Sequence, residues 1–293
     1  MKPMKNRLSS AGLLAAALCT FGGCGDDPAQ PPAQPPEQPS DPPSRTFLPL
    51  DSDVVFQVYE AYGTPDDQYP NLNAVSEPRV AIRVRTEREY TCSNYDIEYK
   101  KAISKSRVVL QLTGVSLGPG CATSIGPAKT AFFADLETGT YELVVLHDVR
   151  TAEFLVSVSD ESFSVSPSED AFARTEHSLY WRYPPKSFVY LCGTTNITRS
   201  MCSDFIEGLS RLVPIEEFSF PQTGHAPWPG SADGYQYAAP VRYFRYSDEA
   251  DFQRAGATLE AYARDVIGSQ QGIGISIRSW RNERFLSWLY RDP

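Results

Sequence analysis

Gly139-Thr-Tyr-Glu-Leu-Val-Val-Leu-His-Asp-Val-Arg-Thr-Ala-Glu-Phe-Leu-Val-Ser-Val158 decides the reading of the first half of the chain. Two β-rich runs, 140–146 and 153–158, flank His147-Asp148, and that punctuation predicts a hairpin. The same pattern recurs on either side. Residues 54–59, 79–84, 95–99, 107–112, 130–136 and 162–165 are short runs rich in Val, Ile, Leu and aromatic residues. Turn residues such as Glu137-Thr-Gly139 separate them, and helical periodicity is absent. Eight such segments predict an antiparallel β-sandwich over residues 47–167.

After residue 167 the pattern changes. Residues 187–192 read as an apolar strand. Met201, Phe205, Leu209 and Leu212 then recur at spacings of four and three, which predicts a helix over 198–213 with one apolar face. Thr198 or Ser200 can cap its start and Pro214 stops it. Residues 215–220 and 241–246 read as strands. Ser247-Asp-Glu opens a second helix with acids in its first turn. Phe252, Ala255, Leu259, Tyr262 and Val266 give it a buried face, and Gly268 ends it. Residues 272–280 and 284–290 form a hairpin around Arg281-Asn-Glu283. The order β-α-β-β-α-β-β predicts, for residues 168–293, an α+β domain of the split β-α-β, ferredoxin-like kind with one added strand.

The N-terminal end carries an address. Lys2, Lys5 and Arg7 make a positive region, and residues 8–21 are apolar, about the length of a signal-peptide core and too short for a permanent span. Phe21-Gly22-Gly23-Cys24 comes next. It resembles the cleavage site of bacterial lipoproteins, although Phe21 stands where such sites usually carry an aliphatic residue. The resemblance implies that residues 1–23 are a signal peptide and that Cys24 carries acyl chains. It also implies a bacterial cell-envelope location, at the outer membrane in preference to the inner. Residues 25–46 hold eight prolines and no aromatic residue. Such a composition favours extended polyproline II, so residues 24–46 read as a lipidated cysteine and a tether reaching at most about 68 Å. The run Gly139-Thr-Tyr-Glu-Leu-Val-Val similarly resembles strands of immunoglobulin-like modules on bacterial surface proteins, which implies an Ig-like sandwich. The Cys…Trp…Cys framework of antibody domains is missing.

Composition narrows the partners. The chain has 27 basic and 36 acidic residues. Removal of the three bases before residue 24 leaves 24 against 36, a net charge of −12, which argues against nucleic acid. Cys92, Cys121, Cys192 and Cys202 are an even set once Cys24 is lipidated, and the sequence-local pairing Cys92–Cys121 with Cys192–Cys202 is expected. No spacing of cysteine and histidine suits zinc, and no cofactor is expected.

The segment 221–240 is a long loop between two strands, rich in proline and aromatic residues. Trp228, Tyr235 and Tyr237 are its candidate binding residues, suited to a sugar face or a partner's pocket, or to capping their own domain. Of the three histidines, His147 reads as a solvated turn residue and His177 as an interdomain residue. His225, with Asp233 in the same loop, is the candidate general base, and no nucleophile motif accompanies it. Two readings result. One is a non-catalytic, membrane-anchored envelope lipoprotein that binds a protein or glycan. The other is a lipid-anchored hydrolase or delivered effector with its activity in residues 168–293.

Overall fold

The structure is a computed structural model that describes residues 46–65, 75–118, 120–167, 172–227 and 240–290. The segments 1–45, including Cys24, and 228–239, including Trp228, Asp233, Tyr235 and Tyr237, lie outside the described residues. The fold is mainly β, with two sheets and two α-helices among the described residues.

The first sheet is built from β1 (Thr46–Leu48), β2 (Val54–Ala61), β3 (Arg79–Tyr90), β4 (Tyr95–Ile103), β5 (Arg107–Leu117), β6 (Gly126–Phe133), β7 (Gly139–His147), β8 (Arg150–Val158), β9 (Ser162–Val165), β10 (Ala173–Thr175) and β11 (Leu179–Trp181). Its strand order is β10-β2-β3-β6-β4-β5-β7-β8-β9-β11, with β1 paired to β5. Most neighbours are antiparallel, but β5 runs parallel to β7, β10 parallel to β2, and β4 meets β6 in parallel at Asp96 and Lys129. Alternation sends Val54, Phe56 and Val58 of β2, Leu110 and Leu112 of β5, and Phe154 and Val156 of β8 into one shared core. The sheet therefore curls around that core. Its two terminal strands are close neighbours in sequence, and the Tyr180 hydroxyl accepts the His177 backbone N–H at 2.8 Å between them.

The strands at 173–175 and 179–181 belong to this first sheet and not to the second. The expected division at residue 168 therefore falls before the sheet is complete. Each strand is three residues long, too short for a period of two to show in sequence.

The second sheet comprises β12 (Ser187–Thr194), β13 (Ile215–Phe218), β14 (Arg242–Tyr246), β15 (Ile273–Ser279) and β16 (Arg284–Leu286), in the order β13-β14-β12-β15-β16 and antiparallel throughout. Helices α1 (Arg199–Leu212) and α2 (Glu249–Tyr262) cover one face. Phe188, Tyr190 and Cys192 of β12 and Ile273, Ile275 and Ile277 of β15 pack there against Phe205, Leu209, Phe252 and Leu259.

Local signals account for the helix ends. The Asp248 and Asp251 side chains accept each other's backbone N–H groups as a capping box at the start of α2. Thr198, expected to cap α1, makes no cap bond and donates to the Gly272 carbonyl at 2.9 Å, which ties the helix start to β15. Leu212 and Val266, both expected on buried faces, are exposed. A π-helical turn over 263–267 continues from α2 and brings Ala263 and Ile267 inward instead. The pairings Cys92–Cys121 and Cys192–Cys202 are those formed, and the second joins β12 to α1.

Candidate functional site

The segment 221–227, the first part of the long loop, leaves β13 and lies along the outer edge of β11. The His225 backbone N–H donates to the Leu179 carbonyl and the Trp181 N–H donates to the His225 carbonyl, each at 2.8 Å. The Trp181 indole N–H adds a bond to the Thr223 carbonyl at 2.7 Å. Gly224 makes this approach possible. Its φ is 87°, and a Cβ there would come within 2.9 Å of Leu179 Cγ. A strap from the second sheet thus pairs with the last strand of the first and removes an open edge.

The strap sets His225 against His177, their rings parallel within 10° and 4.5 Å apart. Tyr180 meets both rings edge-on. Burial, and secondarily the neighbouring His177, hold His225 below its ordinary value, while Glu176 acts in the opposite direction. The Arg85 guanidinium lies 3.4 Å from Glu176. A half-buried imidazole held neutral is a competent proton acceptor, but its nearest aromatic neighbours are another imidazole and a phenol. The geometry among the described residues gives His225 a role in holding the strap, and its expected partner Asp233 lies outside them.

His147 is not a solvated turn residue. It is 5 % exposed, with Nε2 2.7 Å from the Leu50 carbonyl and Nδ1 3.3 Å from the Leu112 carbonyl. Asp148, with φ 51°, turns the chain next to it. The imidazole therefore ties the segment after β1 to the end of the β5–β7 pair.

A second cluster sits where the two sheets meet, and the sequence did not announce it. Glu60 near the end of β2 is buried, and its Oε1 accepts the Arg182 Nε at 2.8 Å. Arg182 also donates to the Ser159 carbonyl at 2.6 Å and lies 5.1 Å from the Phe163 ring centroid. From the second sheet, the Arg278 guanidinium lies 5.2 Å from the Tyr62 ring, and the Tyr62 hydroxyl donates to the Trp280 carbonyl at 2.8 Å. Burial pushes the Glu60 carboxyl above its usual range. Arg182, the Tyr183 backbone N–H and Arg278 oppose that rise. Burial raises the Tyr62 and Tyr183 phenols as well. Glu60 was hidden because in Val-Tyr-Glu-Ala-Tyr it reads as an ordinary outward strand residue; its partner stands 122 positions away.

The cluster fixes one sheet on the other. Its carboxylate is enclosed by cations and aromatic rings, which suits a joint better than a reaction centre. No protein-family model, characterised protein or solved structure matches this chain.

Proposed function

We propose that the protein is a membrane-anchored envelope lipoprotein that acts as a non-catalytic binding or assembly module for a protein or glycan. One observation carries the reading. Cys92, Cys121, Cys192 and Cys202 are consumed in two disulfides, which suits an oxidising compartment outside the cytoplasm. Cys24 is left out of both bridges, in the position that a lipid-modified cysteine takes after a short apolar leader.

The architecture is read alongside it. The first sheet is an Ig-like sandwich in this reading, supported by its shared core and its hairpins. The second is ferredoxin-like with an added edge strand, supported by the order β13-β14-β12-β15 and by two helices on one face. Trp228, Tyr235 and Tyr237 of the loop are the proposed contacts to the partner.

The test is metabolic labelling with a radiolabelled fatty acid, then membrane fractionation and in-cell cross-linking. Label and membrane association that are lost in Cys24→Ala, together with a stoichiometric envelope partner, are the expected result. A protein that is unlabelled and soluble in both forms overturns the anchor. A labelled protein recovered without a partner overturns the binding role.

A further inference from the structure

The strap is fastened to β11 at one point. Within 221–227 the groups bonded to that strand are the His225 N–H, the His225 carbonyl and the Thr223 carbonyl. They surround a single parallel bridge between His225 and Tyr180, with no longer ladder beside it among the described residues. A force on the His225 side chain therefore acts on all three bonds at once.

The ring beneath His225 belongs to the first sheet. His177 stands in the turn between β10 and β11, where its N–H donates to the Tyr180 hydroxyl at 2.8 Å and its carbonyl accepts the Thr175 hydroxyl at 2.7 Å. Tyr180 is itself buried in the core of that sheet. The two stacked imidazoles, 4.5 Å apart, are thus carried by different elements, one on the sheet and one on the strap laid over it.

Few charged groups face the stack. Glu176 precedes His177 in the turn and favours the charged form of His225, and Arg85 of β3 shares that carboxylate at 3.4 Å. Tyr180 of β11 presents a phenol that burial holds above its ordinary range, so it stays neutral in acid and at neutral pH. Residues 221–227 contain no titratable side chain besides His225. One carboxylate, partly engaged by a guanidinium, therefore faces two imidazoles. It can offset one imidazolium and not two. Neutral rings stack without penalty, whereas two unit charges at this separation repel even with the screening of water.

We propose that the His177–His225 stack is an acid-released latch: when both imidazoles take up a proton, the strap lifts from β11. Release frees the Leu179 carbonyl and the Trp181 N–H, and the first sheet regains an edge able to accept a further strand. Half-burial of His225 acts in the same direction, because desolvation disfavours its charge while the strap is down. The released strap then binds a proton more readily than the docked one, so falling pH draws the equilibrium towards release. The inference concerns the strap alone and does not depend on an anchor at Cys24.

The test follows the ¹⁵N-labelled full-length chain in detergent, at low salt, between about pH 7.5 and about pH 5. Protection against hydrogen exchange at the Trp181 and His225 amides, relative to the intrinsic rate at each pH, should fall about fivefold or more. The Trp181 indole N–H resonance should shift with it as the bond to Thr223 is lost. Protection at Leu143 and Tyr190, inside the two sheets, should hold. His177→Gln keeps the backbone bonds of the turn and removes one of the two charges, so its strap should stay protected throughout. His225→Phe, whose ring can stack on His177 without a charge, should do the same. Unchanged protection in the parent overturns the proposal. So does a fall shared by Leu143 and Tyr190, or a fall in either variant as large as in the parent.

Discussion

Replacement of Glu60 tests whether its charge or only its shape holds the two sheets together. Glu60→Ala removes the acceptor of the Arg182 Nε and leaves that guanidinium enclosed with only the Ser159 carbonyl. Breaking a buried pair from one side costs about 3–5 kcal/mol. For a folded body of this size, each kcal/mol lowers Tm by about 2–4 °C, so a fall of about 6–20 °C is expected. Glu60→Gln keeps a carbonyl oxygen for Arg182 and removes the desolvated charge. Burial outweighs Arg182 in setting the Glu60 carboxyl, so this variant should lose less than about 1 kcal/mol at neutral pH.

The pH dependence has a definite sign. A carboxyl raised in the fold binds its proton more readily there than in the unfolded chain. Its contribution is thus fully present below the ordinary 4.5 and is lost as pH rises through the raised folded value. Denaturant unfolding at several pH values should therefore show the gap between Glu60→Gln and the parent moving in favour of the variant as pH rises. If Glu60→Gln is as damaging as Glu60→Ala at every pH, the charge itself is the stabilising element and the reasoning is refuted.

The strap gives an opposite pH response. His225 is held below its ordinary 6.5, so its contribution is present above that value and lost as pH falls through the folded value. Protection against hydrogen exchange at the Trp181 and His225 amides, measured relative to the intrinsic rate at each pH, should therefore fall in mild acid, and His225→Phe should flatten that response. Gly256→Ala should cost about 1–3 kcal/mol despite alanine's better helix propensity, because the new Cβ would fall 2.3 Å from the Phe285 ring; denaturant melts read this directly. Replacing Cys192 and Cys202 together by Ala should lower stability by about 2–3 kcal/mol, and a reducing agent should reproduce the loss in the parent chain.

Much of the fold was legible because its signals are local. Alternation in 54–61 and 140–158 names strands whatever surrounds them. Met201, Phe205 and Leu209 name a helix face, and the pairings of cysteines 29 and 10 positions apart reflect proximity. What failed depends on distant partners. Residues 173–175 and 179–181 are strands only because β2 and β9 offer them ladders. His147 looks like a turn residue until carbonyls 35 and 97 positions away close over it. Val266 kept a helical spacing that a π turn then rotated outward. The polar joint was least legible of all. Glu60 occupies an unremarkable strand position, and its character comes from burial that composition does not record.

The joint and the strap together explain why a chain with two sequence patterns folds as a single body over Pro43–Pro293. Adjacent domains move relative to one another by default unless the surface between them is extensive or tightly bound. Here only residues 182–186 connect β11 to β12, and two of them already serve the interface: Arg182 pairs with Glu60, and Tyr183 packs with Val189 and Leu191 on the face of the second sheet away from the helices. The Tyr62–Trp280 bond and the Ser76 N–H to Arg281 carbonyl bond at 3.1 Å add contacts from connecting segments far apart in sequence. The strap then pairs backbone of the second sheet's hairpin with the first sheet's last strand. Each contact is individually modest, but they constrain different directions, and a hinge at 182–186 would have to break them together. The two sheets therefore present their surfaces in a fixed relation.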